Sequence, residues 1–285
     1  MAFLDNPQLK DIVNSTVAQV EKLEKSESVS LLKRFKEVRQ ELRDRLDIIE
    51  GDTFTAQQSR IVLVQIEAAI SAMTRSLKED IKPAGQAIAF RGAEDLVREI
   101  DQFTKIFGGT VTPFNINVAR IANDTNNFLI NRVDASLDAY GEDLRGLITA
   151  NLSNLAIQRV PFDTMLRKLS KFFIGEEFKL RRIARTELHN LYNLAKLKGM
   201  ESTKTDFIPD LKKALFHPID SRTGEDSIQL SIENPIIDID KPFRFTFKKR
   251  LKDGSISEEF REFMAPPDRP NDRAVLIPFR PEWEE

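Results

Sequence analysis

The chain contains no cysteine. Disulfides, cysteine-ligated zinc and thiol catalysis are thereby excluded. Imidazole is almost as scarce. His189 and His217 are the two histidines in 285 residues. They lie on separate segments without companion ligands at metal spacing, so neither zinc nor any other metal or cofactor is expected. Positive charge is not in excess: 43 Lys and Arg stand against 45 Asp and Glu, a formal net charge of −2. Nothing global points to a nucleic acid as the main partner, and any DNA contact would need a local patch. No apolar run approaches the ~20 residues of a membrane span. The opening "MAFLDNPQLKD" lacks the basic stretch and apolar core of a signal peptide. The expectation is a soluble, cytosol-made protein with no membrane partner. There is also no Ser-His-Asp order, no glycine-rich phosphate loop and no metal-spaced cluster, so the chain is not expected to be an enzyme.

What is present is a globular composition, 41% hydrophobic and 31% charged, in a chain long enough for two domains. The first part reads as helix. Phe35, Val38, Leu42, Leu46 and Ile49 recur at three- and four-residue spacings. Val62, Ile66, Ala69, Ile70, Met73 and Leu77 repeat the pattern, with Asp52 or Thr53 as the expected cap. "IKPAG" (81–85) reads as a breaker, with a further helix from about Gly92 to Phe107 that stops at Gly108-Gly109. "TVTPFNI" reads as an extended linker, and Val133, Leu137, Tyr140, Leu144, Leu147 and Ile148 mark another long helix. The plain reading of these stripes is the core of an elongated helical bundle, a shape suited to docking a partner. Leu4, Leu9 and Ile12 form an apolar stripe at the N-terminus that either packs on this bundle or reaches a partner.

The second part changes character. Two helices are expected, joined near Ile174-Gly175, with Gly199 just past the end of the second. Beyond them, "FRFTFKKRLKDGSISEEFREFM" alternates Phe243, Phe245 and Phe247 with polar residues, as a half-buried strand does. Asp253-Gly254 suits a two-residue hairpin turn. The return strand is expected to set Glu258, Glu259 and Glu262 opposite Lys248, Lys249 and Arg250. In "LFHPIDSRTGEDS", Asp220, Ser221 and Thr223 are turn and cap residues. Gly224 onward reads as a short helix with Glu225 and Asp226 at its positive end. Arg222 is a fork donor awaiting a carboxylate. Arg185 and Glu187 on the helix and Asp220 and Arg222 on the turn carry opposite charges, and one polar network is expected to join them. The fold class is therefore α+β: a helical domain over 1–154 and a smaller domain with a β-hairpin over 155–285, the second expected to fold without the first.

The order "IARTELHNLYNLAKLKGM", "ALFHPIDSRTGEDS", "DIDKPFRF", "MAPPDRPNDRA" resembles the Mu F-like phage head morphogenesis domain over about residues 155–283. The matching positions are Arg185, Thr186 and Glu187; Asp220, Arg222 and Thr223; Pro242 and Phe243; and Pro266, Pro267, Pro270, Asn271 and Arg273. Asp272 and Ala274 stand where that family has cysteines, and Phe216 where it often has tryptophan. The resemblance implies a minor head protein of a tailed phage, located in the virion head or neck and in the host cytoplasm during assembly. It implies the portal protein as partner, with the major capsid or scaffolding protein, packaged DNA and a second copy of the chain as further candidates. Two alternatives stay open. One is a ring-forming neck or connector component. The other is an enzyme or toxin-type protein in which Arg222, Glu187 and His217 form the site.

Overall fold

A computed structural model describes residues 3–46, 54–109, 116–221, 223–233, 236–250, 255–267 and 272–284. Four long helices lead the chain: α1 (Pro7–Leu46), α2 (Ala56–Phe107), α3 (Val118–Ile157) and α4 (Phe162–Asp206). They are followed by β1 (Lys212–Phe216), α5 (Glu225–Glu233), β2 (Ile236–Asp238), β3 (Phe243–Arg250), β4 (Ile256–Phe263) and β5 (Val275–Phe279). The protein is mostly helical with a few antiparallel strands, an α+β chain in the broad sense.

The helix starts are written in the sequence. Asn6 accepts from the amides of Gln8 and Leu9, with Pro7 at the first helical position of α1. Thr55 caps α2, and Asp52 and Thr53 lie outside the described residues. The cap is a reciprocal box in which the Gln58 amide donates to the Thr55 hydroxyl and the Thr55 amide to the Gln58 side chain. Asn117 caps α3 through the amide of Arg120.

The expected internal stops do not occur. α2 runs straight through "IKPAG". Pro83 removes one backbone donor, but Pro83 and Glu79, whose carbonyl loses its partner, are both at exposed positions, where an unpaired carbonyl costs little. α4 likewise continues through Ile174-Gly175, because one helical glycine is a weak penalty against the buried flank of Phe173, Glu176 and Leu180. Gly199 is no cap either. It lies inside α4, where a Cβ would drive into the Leu96 side chain. Gly108 and Gly109 do end α2, both at positive φ.

The contacts divide the chain into two compact units that are not consecutive in sequence. A mixed unit takes Met1–Lys25, Gly85–Asn127 and Arg185–Glu285; a helical unit takes Ser26–Ala84 and Phe128–Ala184. Each of the four long helices gives one stretch to each unit, and the expected boundary at residue 154 falls within α3. The mixed unit is closed by aromatic packing of Phe3 against Phe103, Phe107, Phe279 and Trp283, with ring centroids 5.0–5.9 Å apart. Leu4 and Leu9 are buried in the same unit, so the N-terminal stripe is packed inward. Residues 185–284 therefore share one compact unit with residues 3–25 and 85–127, while residues 155–184 belong to the helical unit.

Within the mixed unit, β2, β1 and β5 form one antiparallel sheet in that order, with Phe216 opposite Val275 and Ala214 opposite Ile277. β5 is buried along its whole length. Pro278 is tolerated because β5 is an edge strand. β3 and β4 form the expected hairpin. Its charge pairing is shifted: Lys248 faces Glu258 and Arg244 faces Glu262, while Glu259 lies opposite Phe247 and Lys249 opposite Ser257. Asp253 and Gly254 lie outside the described residues, as do most of the "TVTPFNI" linker and Ile49.

Two glycine substitutions test this packing in opposite directions. A Cβ at Gly92 would collide with the backbone carbonyl of Tyr192, and neither backbone can give way. Gly92→Ala should lower stability by about 1–3 kcal/mol. At Gly175 nothing lies within 4 Å, so Gly175→Ala should raise stability by about 1 kcal/mol through helix propensity alone. Urea unfolding of the full chain reads both.

Candidate functional site

The α4 stretch from Glu187 to Met200 is buried on nearly every side, although it carries Glu187, His189, Asn190, Asn193 and Lys196. Buried polar groups persist only where they are hydrogen-bonded, and here the partners come from α1, α2 and the segment before β5.

His189 makes the central link. Its Nδ1 is 2.7 Å from Glu24 Oε1 on α1, and its Nε2 is 2.7 Å from the carbonyl oxygen of Ala274. The Ala274 carbonyl and an ionised Glu24 are both acceptors, an arrangement that favours hydrogen on both ring nitrogens. Burial alone would lower its pKa. The Glu24 charge and hydrogen bond, with the Ala274 carbonyl and Asp272 behind them, raise it above the ordinary value. One turn along, the Asn193 amide donates to Ala274 O at 3.2 Å and accepts from the Leu276 amide at 2.8 Å. The Tyr192 hydroxyl donates to Asp95, which also takes ion pairs from Arg91 and Arg98. Lys196 grips both oxygens of Glu99 at 2.6–2.7 Å with both side chains fully buried. Burial pushes the Glu99 carboxyl up to about 7 against the pull of Lys196.

A second cluster surrounds the "IDSRT" turn. The Thr223 amide donates to the Asp220 carbonyl at 3.0 Å, and the Asp220 amide to the Thr223 hydroxyl at 2.8 Å. The carboxylate of Asp220 is held by Arg273 in a two-pronged bond, 2.9 and 2.7 Å, and Arg273 also reaches Glu21 at 3.3 Å and Thr223 at 3.3 Å. Asp272 accepts from the Ala274 amide at 3.1 Å and lies 4.0 Å from Nδ1 of His217. Three consecutive residues thus tie the unit together: Asp272 to His217, Arg273 to Asp220 and Glu21, Ala274 to His189 and Asn193.

The expected network is therefore redrawn. The described fork donor to Asp220 is Arg273, whereas Arg222 lies outside the described residues. Arg185 is half-buried on α4 and makes no bond to Asp220 among the described residues; Glu187 is buried on the same helix. Pro242 opens the hairpin, and Phe243 is buried beneath the ammonium of Lys213 at 5.1 Å. Burial pulls Lys213 down to about 8, and its ammonium donates to the Met264 carbonyl. Pro267 is half-buried, and Asn271 lies outside the described residues. Glu21, Glu24, Asp95, Glu99 and Asn193 were not singled out from the sequence. The unread signal is a helical run with polar residues at 189, 193 and 196 between apolar ones, each of which needs a buried partner. Among the described residues no three His, Asp or Glu side chains form a group able to hold a metal.

No family model matches the chain, and no curated protein or solved structure matches it.

Two measurements test the network. Because the folded pKa of His189 is raised, its contribution is fully present below about pH 6.5 and is lost as pH rises through the folded value. Glu99 acts in the same direction between its ordinary 4.5 and about 7. The unfolding free energy of the protein should fall above pH 6.5, and the difference between it and His189→Gln, measured in urea from pH 6 to 9, should shrink as pH rises. Separately, Arg273→Ala should cost about 2–3 kcal/mol, and a double-mutant cycle with Asp220→Ala should return a coupling of about 1 kcal/mol.

Proposed function

We propose that the chain is a structural minor head protein of a tailed bacteriophage, acting at the portal vertex in head assembly and in DNA packaging and exit. In this reading residues 155–285 carry the Mu F-like segments, and the long helices before them dock the portal. One observation supports it above the others. Three of the four sequence segments that carry the resemblance meet in one hydrogen-bonded network: the α4 stretch around His189, the Asp220–Thr223 turn and Arg273–Ala274. Residues about 90 positions apart are joined in this way, as a shared domain architecture requires. The fourth segment begins the hairpin at Phe243.

The chemistry of the network favours a structural part over an enzyme. Its two innermost pairs, His189 with Glu24 and Lys196 with Glu99, are buried and satisfy one another. The clefts of about 800 and 230 Å³ in the helical unit are lined by other side chains.

The test uses the full chain, since the mixed unit draws on both ends of the sequence. Tagged protein should co-elute with the portal protein encoded in the same genome, and deletion of its gene should leave heads that fail to assemble or to deliver DNA. Absence of the protein from purified virions by mass spectrometry overturns the reading. Ordered symmetric density at the neck would select the connector alternative.

A further inference from the structure

We propose that the groove between α1 and α4 in the helical unit is a docking site for an acidic amphipathic helix of a partner protein. The groove has a volume of about 800 Å³. Arg39 and Arg43, one turn apart, line it from α1, and Arg167 lines it from α4. Its apolar side is made by Leu166, Leu169, Phe173 and Ile174 of α4. Leu169 and Phe173 are buried at its base, while Ile174 is 47% exposed. Along α4 the lining runs from Asp163 to Ile174, about 16 Å at 1.5 Å per residue, which is three turns of a facing helix.

Charge selects the occupant. Asp163 is the one carboxylate among the described lining residues, against three guanidinium groups. Arg43 makes no hydrogen bond or ion pair among the described residues. Arg167 donates to the Asp163 carbonyl and the Thr164 hydroxyl, neither of which neutralises it. Arg39 is 3.8 Å from Glu177, but that carboxylate also serves Lys36 and Arg181. The groove is therefore cationic at its rim and apolar at its base. A helix with leucine-like residues on one face and glutamates flanking them satisfies both. A nucleic acid satisfies the rim alone: phosphates gain nothing from Leu166 and Ile174, and Phe173 is too deeply buried to stack on a base. The inference stands on this groove and holds whether or not the chain is a phage protein.

The experiment uses the full chain and three fluorescein-labelled probes: an 18-residue Leu/Glu amphipathic peptide, its Leu/Lys counterpart, and a 20-nucleotide DNA in single- and double-stranded form. In fluorescence anisotropy at low salt the Leu/Glu peptide should bind. Its affinity should fall at least tenfold in Arg43→Glu/Arg167→Glu and again in Ile174→Asp, and the Leu/Lys peptide should not bind. Arg43 and Arg167 are exposed, so circular dichroism melts should be unchanged; Arg43→Gln/Arg167→Gln gives the same readout if charge reversal disturbs the fold. Failure of the Leu/Glu peptide to bind, or binding that the variants leave intact, overturns the proposal. DNA binding that the same variants abolish overturns it in favour of a nucleic acid. Self-association seen by light scattering and abolished by the same variants overturns it in favour of a second copy of the chain.

Discussion

The His189 ring sits between the Glu24 carboxylate and the Ala274 carbonyl, 2.7 Å from each and out of water. The mixed unit depends on this ring because α1, α4 and the approach to β5 are far apart in sequence. A hydrophobic contact among them would tolerate sliding. A ring with two fixed donors does not, since each donor left without its acceptor would be a buried unsatisfied group. The position of β5 follows from it. Once Ala274 is fixed, the next residues enter the sheet beside β1 with Val275 opposite Phe216, and the Asn193 bond to the Leu276 amide sets the same register from the helix side.

Lys196 and Glu99 make the same point at higher stakes. A fully buried ion pair is weak evidence for stability, because desolvation offsets most of the attraction. Its value lies in what it forbids. Rotating α4 about its axis relative to α2 would strand both charges, and Tyr192 with Asp95 one turn earlier imposes the same constraint. Gly92 adds a steric term, since the Tyr192 backbone approaches too closely for any Cβ. Two residues of α4, Tyr192 and Lys196, thus define its rotation against α2 where leucine packing alone would leave it loose.

Helical content and the hairpin were legible in the sequence because both rest on periodicity: three- and four-residue spacing for the long helices, alternation of Phe243, Phe245 and Phe247 for β3. Helix interruptions were misread because proline and glycine were weighed locally. Whether Pro83 breaks a helix depends on whether water reaches the freed carbonyl, and whether Gly199 caps one depends on Leu96, residues away on another helix. The units were hidden for a related reason. They cut across the long helices, so no linker or composition shift marks them. At the site, the motif residues were visible but their pairing was not. Arg222 and Arg273 are equally suited to Asp220 by charge, and only the sheet that brings residue 273 beside residue 220 places Arg273 as a partner.

Asp272 and Ala274 flank Arg273, and each faces a histidine, but by different means. Ala274 meets His189 through its carbonyl, which any residue there would supply; its side chain need only be small enough for a buried position. Asp272 meets His217 through its carboxylate and also receives the Ala274 amide. A neutral residue at 274 is therefore compatible with the link to His189, whereas at 272 the acidic group is itself the link. A thiol at 272 would give the Ala274 amide only a weak acceptor. The segment before β5 is thus held at one position by a backbone carbonyl and at the other by a carboxylate, and the strand that follows is held by both.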